Sequence, residues 1–118
     1  MEINKDELRS WIAALRSGNY RQTTGALEDN YGFCCLGVAC KVLIPADKLT
    51  YKEGTLRTKL ISGGVPEGQN NAPLWLKLIN EDFEKRHGKC LITLNDTDKE
   101  SFETIANLLE KYYLSDGN

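Results

Sequence analysis

The apolar positions of this chain fall into four runs separated by polar, turn-forming segments. Leu8, Trp11, Ile12 and Leu15 recur at i, i+3, i+4 and i+7, which is one stripe of an amphipathic helix over residues 5–16. Asn4 is placed to cap it, with Glu7 three residues later as in a capping box, and Arg16 and Gly18 mark its end. The second run, residues 33–44, is almost uncharged, poor in β-branched residues and long for a strand. It predicts a helix buried on most sides and ended by Pro45, and Gly37 within it, costing ~1 kcal/mol relative to alanine, implies close packing. The third predicted helix opens with Pro73 in its first turn, carries Leu74, Trp75, Leu78, Ile79 and Phe83 as its stripe, and stops at Gly88. The fourth is announced by a T-x-x-E capping box, Thr97 with Glu100, and lined by Phe102, Ile105, Ala106, Leu109 and Tyr112 to about Tyr113.

Between these runs the pattern is weaker. Residues 19–30 have no helical period and read as a loop with a short strand near Ala26 and Leu27, leading into a turn at Asp29, Asn30 and Gly32. Residues 90–94 read as a short strand followed by a polar turn at Asn95 and Asp96. Residues 49–51 and 55–61 flank Lys-Glu-Gly as a hairpin would, and residues 62–71 form a Gly-, Pro- and Asn-rich loop. The fold class expected is α+β: one compact domain over residues 1–118, about four helices around a buried cysteine-rich helix, and a small β-hairpin or sheet. Residues 46–70 form its variable hairpin and loop region, and residues 114–118 a frayed tail.

Composition narrows the function classes. Apolar residues make up 41% and charged residues 27%, as in a water-soluble globular domain. A formal net charge of −2 supplies no global basic field, so no nucleic-acid partner is expected. No apolar run approaches the ~20 residues that cross a bilayer, so no membrane partner is expected. The opening Met-Glu-Ile-Asn-Lys-Asp has no apolar core of a signal peptide, and the four cysteines then read as reduced thiols of a cytoplasmic protein.

Three chemistries compete for the polar residues and cysteines. Cys34, Cys35 and Cys40 share one predicted helix without the paired C-x-x-C spacing of a zinc site, so neither a metal nor a cofactor is expected, and buried apolar thiols are the simpler reading. A nucleophilic arrangement would use Cys34 at a helix start, where N–H groups lower a thiol pKa, with His87, the one histidine, oriented by Asn95 or Asp96. Against it, a lone histidine at a helix end is more often an exposed charge partner. The richest binding segment is Tyr20, Arg21, Gln22, Thr23 and Thr24 before Gly25, an aromatic face, a permanent charge and several donors, able to stack a base and hold a phosphate. Arg57 and Lys59 would add charge from the hairpin. A hydrogen-bonded surface loop is the plainer alternative.

The motifs also carry a resemblance. Trp11-x-x-Ala-Leu-Arg-Ser-Gly-x-Tyr20-x-Gln22, then Gly25-x-Leu27, Gly32-Phe-Cys-Cys-Leu-Gly-Val-x-Cys40, Leu94-Asn95-Asp96, Phe102 and Ile105-Ala106 resemble a group of small phage and prophage proteins. The match covers both ends of the chain, leaves residues 45–88 aside, and does not include His87. It implies a phage accessory protein of the infected host's cytoplasm, possessing Tyr20, Gln22, Asn95 and Asp96 as shared polar positions. The expectation is therefore a non-enzymatic, counter-defence type of protein that sequesters a small, nucleotide-derived ligand through Tyr20, Arg21, Gln22, Thr23, Asn95 and Asp96. The alternatives are an inhibitor or adaptor docking a host protein through an apolar patch on the third helix or in residues 46–70, and a Cys34–His87–Asn95 hydrolase or deamidase. The oligomeric state is left open.

Overall fold

The computed structural model describes residues 2–49, 69 and 71–114. Helix α1 spans Lys5–Arg16, with the Asn4 side chain accepting from the Glu7 N–H at 3.0 Å. Leu8, Trp11, Ile12 and Leu15 are its buried residues, the stripe read from the sequence. Glu7 does not complete a capping box: its carboxylate accepts from the Trp75 indole at 2.8 Å.

A two-residue hairpin follows, β1 (Glu28–Asp29) antiparallel to β2 (Gly32–Phe33). The strand thus begins two residues later than expected near Ala26 and Leu27, and those two side chains go into the interior. Asp29 Oδ1 accepts from the N–H groups of Tyr31 and Gly32 at 2.8 and 3.1 Å, closing the turn. Residues 21–23 run alongside β2, with Phe33 donating to the Arg21 carbonyl and Thr23 donating to that of Phe33. A Cβ on Gly32 would lie 2.2 Å from the Arg21 carbonyl oxygen, so only glycine lets these segments meet.

Helix α2, Cys35–Leu43, begins two residues later than the apolar run suggests because Phe33 belongs to β2 and Cys34 is the cap. Its residues Cys35 to Cys40 are all buried, with a Cβ on Gly37 falling 1.7 Å from the Leu27 carbonyl oxygen. The helix can touch that backbone only because Gly37 has no side chain. After Pro45 comes a 3₁₀ turn, Ala46–Lys48. The predicted hairpin at residues 49–61, the loop to residue 70 and the tail beyond Leu114 lie outside the described residues, apart from Leu49 and Gln69.

Helix α3, Leu74–His87, buries Trp75, Leu76, Ile79, Asn80 and Phe83, with Pro73 just before its first turn. The predicted stripe is rotated: Leu74 and Leu78 point outward, 71% and 41% exposed. The strand expected at residues 90–94 is helical instead. Leu91 and Ile92 are in α-helical turn and Thr93–Thr97 in a π-turn. Tertiary contacts override β propensity here, because the Asn80 amide accepts from the Ile92 N–H at 3.1 Å and Leu94 and Asn95 are drawn inward. The Thr97–Glu100 capping box does not form either. Helix α4, Phe102–Tyr113, is capped by Ser101, which accepts from the Thr104 N–H, while Glu100 is held outside the helix by both its backbone groups.

One core runs through all four helices. The α+β reading holds, with a single two-stranded sheet among the described residues. Trp11, fully buried, donates to the Cys35 carbonyl at 2.9 Å and rests against Trp75 with ring centroids 6.1 Å apart. Helix α1 packs on both α2 and α4. Arg16 closes the second contact by donating to Glu103, Asn107 and Glu110 at 3.1, 2.6 and 3.2 Å.

Candidate functional site

The fold brings together the loop before β1, the start of α2 and the π-turn. At their junction sits Asn95, 1% exposed. Its Oδ1 accepts from Gln22 Nε2 at 2.8 Å and from the Cys35 N–H at 3.2 Å. Its Nδ2 donates to the Thr23 carbonyl at 2.9 Å and to Asp96 Oδ1 at 2.7 Å. Two donors and two acceptor positions are all an amide side chain has, so Asn95 is saturated. Gln22 spends its second N–H on the Glu100 carbonyl at 2.8 Å. Asp96 Oδ2 accepts from the Gly25 N–H at 3.1 Å, and the Thr23 hydroxyl donates to Asp29 at 3.3 Å.

The π-turn explains how Asn95 gets there. The extra residue in its turn, closed by Asp98 donating to the Thr93 carbonyl at 2.9 Å, aims Asn95 at the first N–H of α2. Four of the expected site residues, Gln22, Thr23, Asn95 and Asp96, therefore meet beside the cysteine helix. They meet as a closed clasp, bonded to one another, to the backbone around them and to Asp29.

Tyr20 and Arg21 are placed differently. Tyr20 lies edge-on to Phe33 with centroids 5.2 Å apart and is half-buried. Arg21 is exposed, and its guanidinium has no partner among the described residues. Tyr31, at the tip of the hairpin, is 74% exposed. The Arg21 backbone lies against β2 at Gly32, the residue after Tyr31, and accepts from the Phe33 N–H at 2.8 Å. The Asp29, Asn30 and Gly32 turn signal was the clue to Tyr31, since the residue carried at a turn tip faces solvent.

The cysteines are spent on packing. The Cys34 thiol caps α2 by accepting from the Gly37 N–H at 3.4 Å. Burial nevertheless pushes it up to about 12, outweighing the N–H groups that favour a thiolate. Burial pushes Cys40 up to about 12 as well, and Cys35 well above its ordinary range. Cys90 is half-buried, 3.2 Å from the Thr93 hydroxyl. His87 is occupied elsewhere: its Nδ1 is 2.7 Å from the Tyr112 hydroxyl and its ring packs on Phe83. Asn95, saturated in the clasp, is not available to orient it. Buried protonated thiols, a histidine bonded to tyrosine and an amide bonded to a glutamine do not make a nucleophile, base and orienter. Among the described residues no group of three or more His, Cys, Asp or Glu side chains could hold a metal ion. Nor is any helix among them long and apolar enough to cross a membrane.

The chain matches the family described as Domain of unknown function (DUF8296) over residues 3–113. No curated protein and no solved structure matches the chain.

Proposed function

The chain belongs to the DUF8296 family, and from that premise we propose that it is a phage accessory protein that binds and sequesters a small, nucleotide-derived ligand without transforming it. The phage attribution rests on the sequence resemblance. The binding reading rests on one observation: Arg21 and Tyr31 are exposed, with no side-chain partner among the described residues, next to the segment held by the Asn95 clasp. A guanidinium takes a phosphate through two parallel N–H donors, and a phenol ring takes the face of a base. On this reading the contacts expected from the sequence divide. Gln22 and Asn95 position the edge, while Arg21 and Tyr31 meet the ligand.

The test is calorimetric titration with nucleoside mono- and diphosphates and cyclic dinucleotides. Saturable binding is expected for at least one of them, lost in Arg21→Ala and Tyr31→Ala variants that melt like the parent. Failure of every probe to bind at millimolar concentration would reject the reading.

A second reading, an inhibitor or adaptor of a host protein, is favoured by Leu74 and Leu78, which expose apolar surface on the helix where the sequence led us to expect such a patch. It predicts that a host protein co-purifies with the parent chain and not with Leu78→Glu.

A further inference from the structure

A depression of about 520 Å³ lies between α1 and α4, lined by Arg9, Ile12, Ala13, Arg16, Glu110 and Leu114. That volume is within the range of small-molecule sites. Arg9, Ile12, Ala13 and Arg16 stand at i, i+3, i+4 and i+7 and so form one face of α1, with the two arginines roughly 10 Å apart along its axis. Ile12 and Ala13 lie between them, and Leu114 from the end of α4 completes an apolar floor.

The two arginines are held differently. Arg16 is fixed by α4: its Nε donates to Glu103 and its Nη2 to Asn107 and Glu110, so its charge is already matched by two carboxylates. Arg9 has only one ion pair among the described residues, with Asp6 at 3.1 Å through Nη1, and those side chains are 59% and 95% exposed. An exposed pair of this kind holds its partners weakly, and Arg9 keeps N–H donors that Asp6 does not use. The groove therefore has an apolar floor, a wall of matched charge and one available guanidinium at one end. It is complementary to a molecule with an apolar body and a single anionic head. A cationic head is opposed by Arg9, and a polyanion by the carboxylates around Arg16. We propose that the α1–α4 groove is a second binding site, for a small monoanionic amphiphile of the medium-chain carboxylate class. Arg9 takes the carboxylate, and Ile12, Ala13 and Leu114 take the apolar body. This site is separate from Arg21 and Tyr31 and does not rest on the nucleotide reading.

Titration of the isotope-labelled full chain with octanoate, followed through backbone amide NMR shifts, tests it. Saturable shifts are expected at residues 9–16 and 110–114, with a dissociation constant of roughly 1 mM. Octylammonium, the same body with the opposite head, is expected to bind at least about tenfold more weakly. Arg9→Gln is expected to weaken octanoate about tenfold. Ala13→Glu, which sets a carboxylate on the floor, is expected to abolish binding, and both variants should melt like the parent. Arg21→Ala should leave octanoate binding unchanged, which keeps this test apart from that of the nucleotide reading. Absence of saturable shifts up to about 10 mM octanoate overturns the proposal. So does octylammonium binding as tightly as octanoate, or Arg9→Gln binding like the parent. Shifts centred on residues 20–33 would put the anion at Arg21 and overturn it as well.

Discussion

Two neighbouring groups of polar residues on this protein have opposite fates. Gln22, Thr23, Asn95 and Asp96 turn inward and hydrogen-bond to one another and to backbone, while Arg21 and Tyr31, on the same loop and hairpin, turn outward and bond to nothing described. A saturated amide is costly to disturb and has little left to offer a ligand; an unpartnered guanidinium and ring cost the fold little and keep their full capacity for binding. Polarity therefore does not distinguish scaffold from binding surface here. Hydrogen-bond satisfaction does.

That contrast can be broken at the scaffold side first. Gly37→Ala drives a methyl against the Leu27 backbone, so α2 must leave the loop that carries the clasp. The expected loss is about 3 kcal/mol or more, read as a large drop in the thermal midpoint. A midpoint within a degree or two of the parent would show that the two backbones can part cheaply. Asn95→Leu should follow, at about 2–4 kcal/mol, because it strands the Cys35 N–H and the amide of Gln22 in the interior.

The thiols give a pH signature. Cys34 and Cys40 stay protonated in the folded chain up to about pH 12, against an ordinary value of 9.0 for the unfolded chain. Their contribution to stability is thus complete below about pH 9 and declines as the pH rises from 9 towards 12. Denaturant melts at pH 8 and pH 10.5 should show the second to be weaker. Native alkylation should label Cys90 alone, and all four cysteines only after unfolding. Rapid native labelling of Cys34 would return the nucleophile reading to contention.

The smallest effect sharpens the comparison most. Arg21→Ala and Tyr31→Ala should change stability by no more than about 0.5 kcal/mol, since neither side chain has a partner among the described residues. A stability loss as large as that of Asn95→Leu would move Arg21 and Tyr31 into the scaffold and remove the basis for a ligand edge there.

Periodicity alone determined α1 and the end of α4, although the start of α4 was expected at Thr97 and lies at Phe102, capped by Ser101. It also placed α2 and the start of α3 within a residue or two, because a stripe at 3.6-residue spacing is a local signal. Burial of the cysteines and the tight packing at Gly37 were legible for the same reason, from an uncharged run containing a glycine. Three things were decided by tertiary contacts. Leu74 and Leu78 have the spacing of core residues and yet face outward, since a helix with two apolar faces does not say which one meets the core. Residues 90–97 have strand-like composition and became a π-turn because the buried amides of Asn80 and Asn95 gain partners only in that geometry. The polar residues of residues 20–23 look alike along the chain. Whether each was scaffold or surface depended on Asn95, more than seventy residues away, whose amide reached Gln22 and Thr23 and left the Arg21 side chain without a partner among the described residues.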